Sequence, residues 1–169
     1  MLDPTGGLYK YAYDEESSIV LSGNAPSNNL TSVTYPDGRR RVYWYNEQDK
    51  TANTDLPNAL TGITDENGGR YATYTYNNLG YATSTEHANG MEKYVVNYPS
   101  FMGQSKVTDP LGSVYTYNFK SILGVVKSIG KTQGSSSASA SNSIVYDSNG
   151  NISTYTDFNG GGLRLTPMT

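Results

Sequence analysis

The pattern that decides the fold of this chain is clearest in one stretch, Tyr146-Asp147-Ser148-Asn149-Gly150-Asn151-Ile152-Ser153-Thr154-Tyr155-Thr156. A Tyr-Asp pair enters a turn that ends in glycine, and a segment of strand-like alternation follows. An Asp at the first turn position accepts a hydrogen bond from the backbone two residues on, and glycine adopts positive φ without Cβ strain. The stretch therefore predicts two β-strands joined by a tight turn.

Turn glycines of this kind recur along the chain at a regular interval. The main series advances by 22 residues three times in succession, through Gly68, Gly90, Gly112 and Gly134. Gly38 and Gly160 extend it at longer steps. A second series lies half a period away, at Gly80, Gly103, Gly124 and Gly150. A turn therefore arrives about every 11 residues, which is the spacing of alternating strands and turns.

The segments between these turns alternate with period two, as half-buried strands do. Strands are expected at 30–34, 42–45, 60–64, 71–76, 82–85, 94–98, 105–108, 114–119, 125–129 and 152–156. No segment shows a 3.6-residue period, so almost no helix is expected. The predicted fold is all-β, with consecutive antiparallel β-hairpins of about 22 residues forming one long twisted or curled sheet.

The composition agrees with a sheet protein and excludes several classes. Tyrosine occurs 16 times against three Phe and one Trp, and it suits half-buried strands, which predicts rows of rings packed across neighbouring strands. The net charge of -3 disfavours nucleic acid, and Arg39-Arg40-Arg41 is the only basic run. The absence of cysteine excludes disulfides and thiolate metal sites. No apolar stretch is long enough for a membrane span.

The pattern divides the chain into three parts. Residues 1–28 form an N-terminal segment with a partial repeat that ends at Tyr13-Asp14, and residues 29–160 form the repeat sheet. The sheet is interrupted by a polar insert at 47–58 and a serine-rich insert at 134–142, which is expected to be a flexible loop. Residues 161–169 are expected to be an irregular tail.

The repeated unit resembles the YD repeat of bacterial RHS proteins and teneurins. Clear instances are Tyr146-Asp147-Ser148-Asn149-Gly150-Asn151-Ile152 and Tyr76-Asn77-Asn78-Leu79-Gly80-Tyr81-Ala82. The resemblance covers roughly Leu30 to Gly160. It implies a β-sheet that spirals into a shell around a toxin or other cargo. The implied role is that of a non-catalytic structural segment, with the remainder of a larger RHS protein or its toxin cargo as partner.

Several expectations follow from that resemblance. Five or six repeats are fewer than a complete shell needs, and the tail departs from the repeat, so the chain is expected to be a fragment or remnant of a larger protein. Secretion or display at the cell surface would depend on that parent, because the start at Met1 shows no signal peptide. The chain made alone would be cytoplasmic. Exposed strand edges predict self-association, as a homodimer.

No residue is predicted to be catalytic, cofactor-binding or metal-binding. His87 is the only histidine and is expected to be a solvated turn residue. Gly130-Lys131-Thr132 lacks the earlier glycine and the following helix of a phosphate-binding loop. The turns at Asp65 and Asp147 lack the alternating carboxylates of a calcium loop. The alternative function is a glycan-binding or cell-surface-binding module that uses exposed tyrosines, which would need coplanar rings beside Asp or Asn in one pocket.

Overall fold

A computed structural model describes residues 1–14, 28–99, 103–134 and 140–164. Within these ranges the chain forms thirteen β-strands: β1 (Lys10–Tyr13), β2 (Leu30–Thr34), β3 (Arg40–Tyr45), β4 (Leu60–Thr64), β5 (Arg70–Tyr76), β6 (Ala82–His87), β7 (Met91–Asn97), β8 (Gln104–Thr108), β9 (Val114–Ile122), β10 (Val125–Gln133), β11 (Ala140–Tyr146), β12 (Ile152–Thr156) and β13 (Gly162–Arg164). Two single-turn 3-10 helices, Gln48–Lys50 and Ala88–Gly90, are the helical elements of the described part.

The described strands hydrogen-bond in chain order from β1 to β13 in one antiparallel sheet. The prediction of an all-β fold built from consecutive antiparallel hairpins is therefore confirmed. The chain divides into two compact units, Met1–Lys93 and Tyr94–Thr169. The first unit contains β1 to β6, the second contains β8 to β13, and β7 runs across the division.

The strand boundaries agree with the sequence predictions at β2, β4 and β12, and β3 and β5 to β10 differ from theirs by one to four residues at an end. Three strands, β1, β11 and β13, were not predicted, and two of them lie in segments that were expected to be irregular. The serine-rich insert was predicted to be a loop through Asn142, but β11 begins at Ala140 and pairs with β10. Residues 135–139 of that insert lie outside the described residues. The tail was predicted to be irregular from residue 161, but Gly162–Arg164 forms β13 against β12. In both places backbone pairing with a neighbouring strand outweighs a sequence without strand-like residues.

The turns are built as three-residue loops in which only the glycine has positive φ. In the turn that starts at Asp147, the Gly150 N–H donates to the Asp147 carbonyl at 3.1 Å. The Asp147 carboxylate accepts the N–H groups of Asn149 and Asn151, each at 2.9 Å. The same geometry recurs at Asp65, Asn77, Asp109 and Asp157. All ten glycines of the two predicted series have positive φ, which confirms the mechanical reason for their spacing.

A further turn of this kind lies at the N-terminus, where the sequence analysis did not place one. The Asp3 carboxylate accepts the N–H groups of Thr5 and Gly7 at 2.9 and 2.7 Å, and Gly6 has φ of 86°. The turn joins Leu2 to Leu8 through an isolated β-bridge. The same Asp-Pro-x-Gly pattern occurs at Asp3-Pro4-Thr5-Gly6 and at Asp109-Pro110-Leu111-Gly112. The partial repeat that ends at Tyr13-Asp14 therefore includes a turn of its own.

Two hairpins use a different turn, in which two successive residues have positive φ. Leu123 and Gly124 have φ of 52° and 80° and join β9 to β10 directly. Asn89 and Gly90 have φ of 61° and 76° in the connection between β6 and β7. Asparagine tolerates this conformation, whereas a branched apolar residue such as Leu123 adopts it at a cost in free energy.

The core is small and lies in the first unit. Val33 and Ala72 are its buried apolar residues among those described, and Ser32, Thr51 and Thr61 are buried with them. The predicted rows of stacked tyrosines are wrong for the described residues, because Tyr9 and Tyr35, with centroids 5.8 Å apart, form their one tyrosine–tyrosine ring contact. Three tyrosines of the Tyr-Asp and Tyr-Asn pairs, Tyr45, Tyr76 and Tyr146, donate their hydroxyl protons to backbone carbonyls.

Candidate functional site

The tyrosine of the Tyr-Asp or Tyr-Asn pair binds the backbone of the preceding strand. The hydroxyl of Tyr45 donates to the carbonyl of Leu30 at 3.2 Å, and that of Tyr76 donates to the carbonyl of Leu60 at 2.8 Å. In the second unit the hydroxyl of Tyr146 donates to the carbonyl of Ser128 at 2.8 Å. Each ring therefore spans one strand spacing, and its polar end completes the hydrogen bonding of a neighbouring carbonyl.

Each of these tyrosines lies at a β-bulge, which its strand forms with the next strand along the chain. Tyr45 pairs with Leu60 while the residue before it pairs with Gly62, so Thr61 is the extra residue of β4. The same shift in register occurs at Tyr13, Tyr76 and Tyr146. The extra residue is always Thr or Ser, namely Thr31, Thr61, Thr83 and Ser153. Bulges increase the local twist of a strand pair, so the repeat carries a device that bends the sheet at each unit.

The hydroxyl of the bulge residue bonds back to the strand that carries the tyrosine. Thr31 donates to the carbonyl of Ala12 at 3.1 Å, and Ser153 to that of Val145 at 3.2 Å. The Thr61 hydroxyl shares its one proton between the Trp44 carbonyl at 3.1 Å and the Glu47 carboxylate at 2.7 Å. At the fourth bulge, Thr83 and Thr75 share a hydroxyl–hydroxyl contact of 2.7 Å. The Thr/Ser-rich strands of the repeat therefore use their hydroxyls to satisfy backbone groups that a bulge leaves unpaired.

Partial burial affects the acidity of two of these tyrosines. Burial raises the pKa of Tyr45, and the negative charge of an ionised Tyr43 would raise it further. Burial also raises the pKa of Tyr76. Both phenols therefore remain protonated donors at neutral pH, which is the state that the carbonyl contacts require.

The polar insert at 47–58 is anchored to the sheet by a half-buried charge pair. The Glu47 carboxylate accepts Nη2 of Arg70 at 2.6 Å and Oγ1 of Thr61 at 2.7 Å. Arg70 also donates to the carbonyl of Thr61 at 2.8 Å. Burial opposes the ionisation of Glu47, but the hydrogen bonds from Arg70 and Thr61 outweigh it and hold the pKa of Glu47 below its ordinary value. A Cβ on Gly62 would overlap the Arg70 guanidinium, so glycine leaves the space in which that group lies.

Asparagine 46 closes the base of the insert. Its side chain donates to the Asp55 carboxylate at 2.7 Å and accepts the Leu56 N–H at 2.8 Å, and its backbone N–H donates to the Ala59 carbonyl. Thr51 is fully buried and donates to the Thr54 carbonyl at 2.7 Å. The insert is therefore an ordered loop whose polar groups bind one another, and its polar composition reflects internal hydrogen bonding.

His87 is the last residue of β6 and pairs with Ala72 of β5. The prediction that His87 lies in a turn is therefore wrong. Its ring centroid is 5.0 Å from that of Tyr71, and its Nε2 is 3.4 Å from a carboxylate oxygen of Glu92. Its side chain is 43% exposed. The imidazole and the Glu92 carboxylate are two potential metal ligands, fewer than the three protein ligands of a catalytic zinc site.

The basic run begins in a turn and continues into β3, and its members point to different partners. Arg39 pairs with Asp37 in the turn at 2.7 Å, and Arg41 pairs with Glu66 at 3.0 Å. Arg40 is exposed. Two of the three charges are neutralised locally, so the run does not form a continuous cationic face for a phosphate backbone.

Lys131, from the glycine-lysine-threonine segment, lies within a group of aromatic rings. Its Nζ is 5.2 Å from the ring centroid of Tyr115, 5.7 Å from that of Tyr117 and 5.4 Å from that of Phe158. An ammonium over three ring faces is stabilised by each of them. Because the lysine covers these rings, they do not offer the free stacking faces that a sugar would need.

Ring exposure elsewhere is scattered among single residues. The aromatic side chains more than 40% exposed are Tyr11, Tyr13, Trp44, Tyr71, Tyr81 and Tyr94. Trp44 is held in place by a 2.8 Å hydrogen bond from its indole N–H to the Thr64 hydroxyl. One cavity of about 260 Å³ brings Tyr11 together with the half-buried Tyr9 beside Asp3.

No group of three or more His, Asp or Glu side chains suited to a metal occurs among the described residues. Their helices are too short to cross a bilayer. Neither a protein-family model nor a curated protein sequence matches this chain. The repeated tyrosine and bulge contacts are therefore the most distinctive side-chain arrangement of the described residues, and they are directed at the backbone.

Sequence reasoning found the tyrosines and the turn glycines but missed how they are connected. The hydroxyl contacts at the bulges, and the Glu47–Arg70 pair, join residues from 8 to 23 positions apart. A signal for the bulge was present, because each tyrosine pair is followed at the start of the next strand by an aliphatic residue and then Thr or Ser. A signal for the charge pair was weaker, since it consisted of one glutamate and one arginine among many polar residues.

Proposed function

We propose that this chain is a non-catalytic structural segment of an RHS-type protein, contributing strands to a β-shell that encloses cargo. The observation that carries the proposal is the repeated contact of the Tyr-Asp or Tyr-Asn tyrosine with the preceding strand, beside a bulge with a Thr or Ser hydroxyl. A device that bends a sheet at regular intervals is what a curved wall requires.

The distribution of polar groups supports the same role. The carboxylates at the turns bind backbone N–H groups, and Glu47 binds Arg70 and Thr61, so these acids are committed to the structure. A general base or a nucleophile needs a partner side chain directed at a substrate position. A wall segment needs only satisfied strands and turns, which is the arrangement described above.

The genomic setting tests this proposal most directly. We expect the surrounding coding sequence to carry further Tyr-Asp or Tyr-Asn repeats, with a toxin and its immunity protein nearby. Limited proteolysis of the product of that whole reading frame should cleave the repeat sheet slowly and leave the enclosed segment intact. Unrelated neighbouring genes, together with a repeat-free reading frame, would overturn the proposal.

Glycan binding is the second candidate, and the fixed indole of Trp44 is the observation that favours it. Trp44 is 44% exposed, and the hydrogen bond from its indole N–H to the Thr64 hydroxyl limits the rotation of the ring. Titration with galactose and glucose, followed by tryptophan fluorescence, should show saturation that Trp44→Ala removes. Unchanged fluorescence at millimolar sugar would retire this candidate.

A further inference from the structure

The second unit contains more positive than negative charge, and its negative charges are already engaged. Residues 94–169 contain four lysines and one arginine against three aspartates, Asp109, Asp147 and Asp157. Each aspartate accepts two backbone N–H groups within its own turn. No ion pair forms among the described residues of this unit. Its lysines therefore lack carboxylate partners.

Two of these lysines lie directly opposite one another. Lys120 of β9 pairs with Lys127 of β10 in the strand register, so the two side chains leave the same face of the sheet. Like charges in directly opposed positions destabilise a strand pair. The Lys127 ammonium contacts the Gly150 carbonyl at 2.5 Å and lies 5.1 Å from the Tyr146 ring centroid. Lys120 is exposed and has no partner among the described residues.

Aliphatic side chains surround this pair. Ile122 and Val125 are the next opposed pair on the same face, and Val125 is 57% exposed. A cavity of about 560 Å³ lies beside these strands, and Lys120, Ile122, Ile129, Ile144 and Tyr146 contribute to its lining. Ser121, Ser143 and Val145 complete the lining. The lysine-pair face is the surface formed by Lys120, Ile122, Ile129, Ile144 and Tyr146 with Val125 and Lys127.

We propose that the lysine-pair face binds an extended acidic polypeptide segment with aliphatic side chains, which in the proposed shell would belong to the enclosed cargo. This inference rests on the proposed function for the identity of the cargo, but the binding chemistry stands on the face itself. Carboxylates would neutralise two opposed ammonium groups, and aliphatic side chains would pack against the isoleucines of the cavity. Two ammonium groups in an aliphatic setting fit a peptide better than a nucleic acid, which needs a longer row of cations and stacking rings.

Fluorescence anisotropy with the purified chain tests the proposal. The probe is a labelled ten-residue peptide of alternating glutamate and valine, compared with matched peptides of lysine and valine and of glutamate and serine. We expect the glutamate–valine peptide to bind most tightly, and its affinity to fall as salt rises. The double substitution Lys120→Gln with Lys127→Gln should weaken binding by about tenfold, the sum of two exposed ion pairs.

Controls separate this face from general charge and from folding. Lys10→Gln removes an exposed lysine of β1 and should leave the affinity unchanged. Lys120→Gln alone keeps the Lys127 contacts, and we expect it to fold like the parent chain and bind the peptide about threefold more weakly. Equal binding of the acidic and basic peptides, equal loss with Lys10→Gln, or tighter binding of a DNA duplex would overturn the proposal. Because the assay needs no parent protein, its failure is distinct from failure of the shell role.

Discussion

Three tyrosine hydroxyls hold carbonyls of the strand that precedes them, and each occupies the same place in the repeat. The ring of such a tyrosine is only half-buried, so packing alone does not explain why phenylalanine, with 3 copies against 16 tyrosines, is rare in this chain. The hydroxyl explains the preference for tyrosine, because it donates a hydrogen bond to a carbonyl beside a bulge. Without it, only water could hydrogen-bond to that carbonyl.

The contribution of that hydroxyl is measurable at Tyr76. Tyr76→Phe keeps the ring and removes the 2.8 Å bond to the Leu60 carbonyl, so the free energy of unfolding should fall by about 0.5–1.5 kcal/mol. Urea unfolding followed by circular dichroism gives the value. Tyr94→Phe is the matched control, since Tyr94 is 42% exposed and should change stability little. Equal effects at the two positions would contradict the role of the hydroxyl.

Glu47 makes stability depend on pH in the acid range. Because its pKa is lower in the folded chain than its ordinary value near 4.5, its contribution is complete above that value and is lost as the pH falls through the folded pKa. Glu47→Gln should therefore destabilise the chain at pH 7 by about 1–3 kcal/mol. The difference from the parent should shrink below pH 4.5. Urea unfolding between pH 3 and 7 measures both.

The matched control for the acid dependence is Glu92→Gln. The Glu92 side chain is 71% exposed, and among the described residues its one ion pair is with His87. At pH 7, Glu92→Gln should lower the free energy of unfolding by less than Glu47→Gln does. A Glu47→Gln variant that stays less stable by a constant amount at every pH would show that the carboxylate charge is not what anchors the insert.

At the scale of the element, two kinds of turn share the glycine signal. The three-residue turns need positive φ at glycine alone, whereas the turn between β9 and β10 also places Leu123 at φ of 52°. Asn-Gly dipeptides favour the second kind in isolation. The Asn-Gly pairs at Gly68, Gly150 and Gly160 nevertheless form the first kind, because the Asp three residues before each glycine binds the turn N–H groups.

The strain at Leu123 predicts a stabilising substitution. Leu123→Asn should raise the free energy of unfolding by about 1 kcal/mol or less, since asparagine adopts positive φ at lower cost than leucine. Thermal unfolding gives the comparison. Leu111→Asn is the control, because Leu111 is 92% exposed and lies in a turn where it has no positive φ. If Leu111→Asn raised the free energy of unfolding as much as Leu123→Asn, the effect would come from removing an exposed apolar side chain and not from relief of backbone strain.

The opposed lysines of β9 and β10 predict a second stabilising change. Lys120→Glu replaces a like-charge pair with an opposite-charge pair facing Lys127, so stability should rise by about 0.2–1 kcal/mol at low salt. The gain should fall when the salt concentration is raised to 1 M, where exposed charges are screened. Lys106→Glu is the comparison, because Lys106 faces Thr116 and no charge. Equal increases in stability for Lys120→Glu and Lys106→Glu would show that the effect comes from net charge and not from the opposed lysines of β9 and β10.

At the scale of the whole molecule, the outer edge of β1 is open among the described residues. Tyr9 exchanges hydrogen bonds with Met1 on the side away from β2, at 2.8 and 2.9 Å, and the alternation of a strand turns the Tyr11 backbone to that side as well. The Tyr11 ring is 43% exposed. An open edge of this kind pairs with a second strand unless a charge or proline blocks it.

Self-association through that edge is therefore expected, and Tyr11→Lys should reduce it. Multi-angle light scattering across a concentration series should show a dimer for the parent chain and a lower dimer fraction for the variant. Val126→Lys adds the same charge to an exposed position of a strand with neighbours on both sides, and should have less effect. A monomer at every concentration for the parent chain would contradict the expected homodimer.

Most strands and turns could be predicted from the sequence, because both depend on local chemistry, whereas β11 and β13 depend on pairing with a neighbouring strand. Period-two alternation fixed β2, β4 and β12, and the ten glycines marked positions where only positive φ closes a turn. It also placed the tyrosines of the repeat. Residue type and spacing along the chain contain that information, since a turn and the strands beside it involve neighbours in sequence.

Only the tertiary structure decided which side chains meet across the strands. The bond from Tyr146 to Ser128, the Glu47–Arg70 pair and the opposed Lys120 and Lys127 each depend on register. Register is set by turn length and by one-residue bulges, and a shift of one residue moves each side chain to the other face. The resulting partners are distant in sequence, so the pattern along the chain predicts the strands and not the contacts between them.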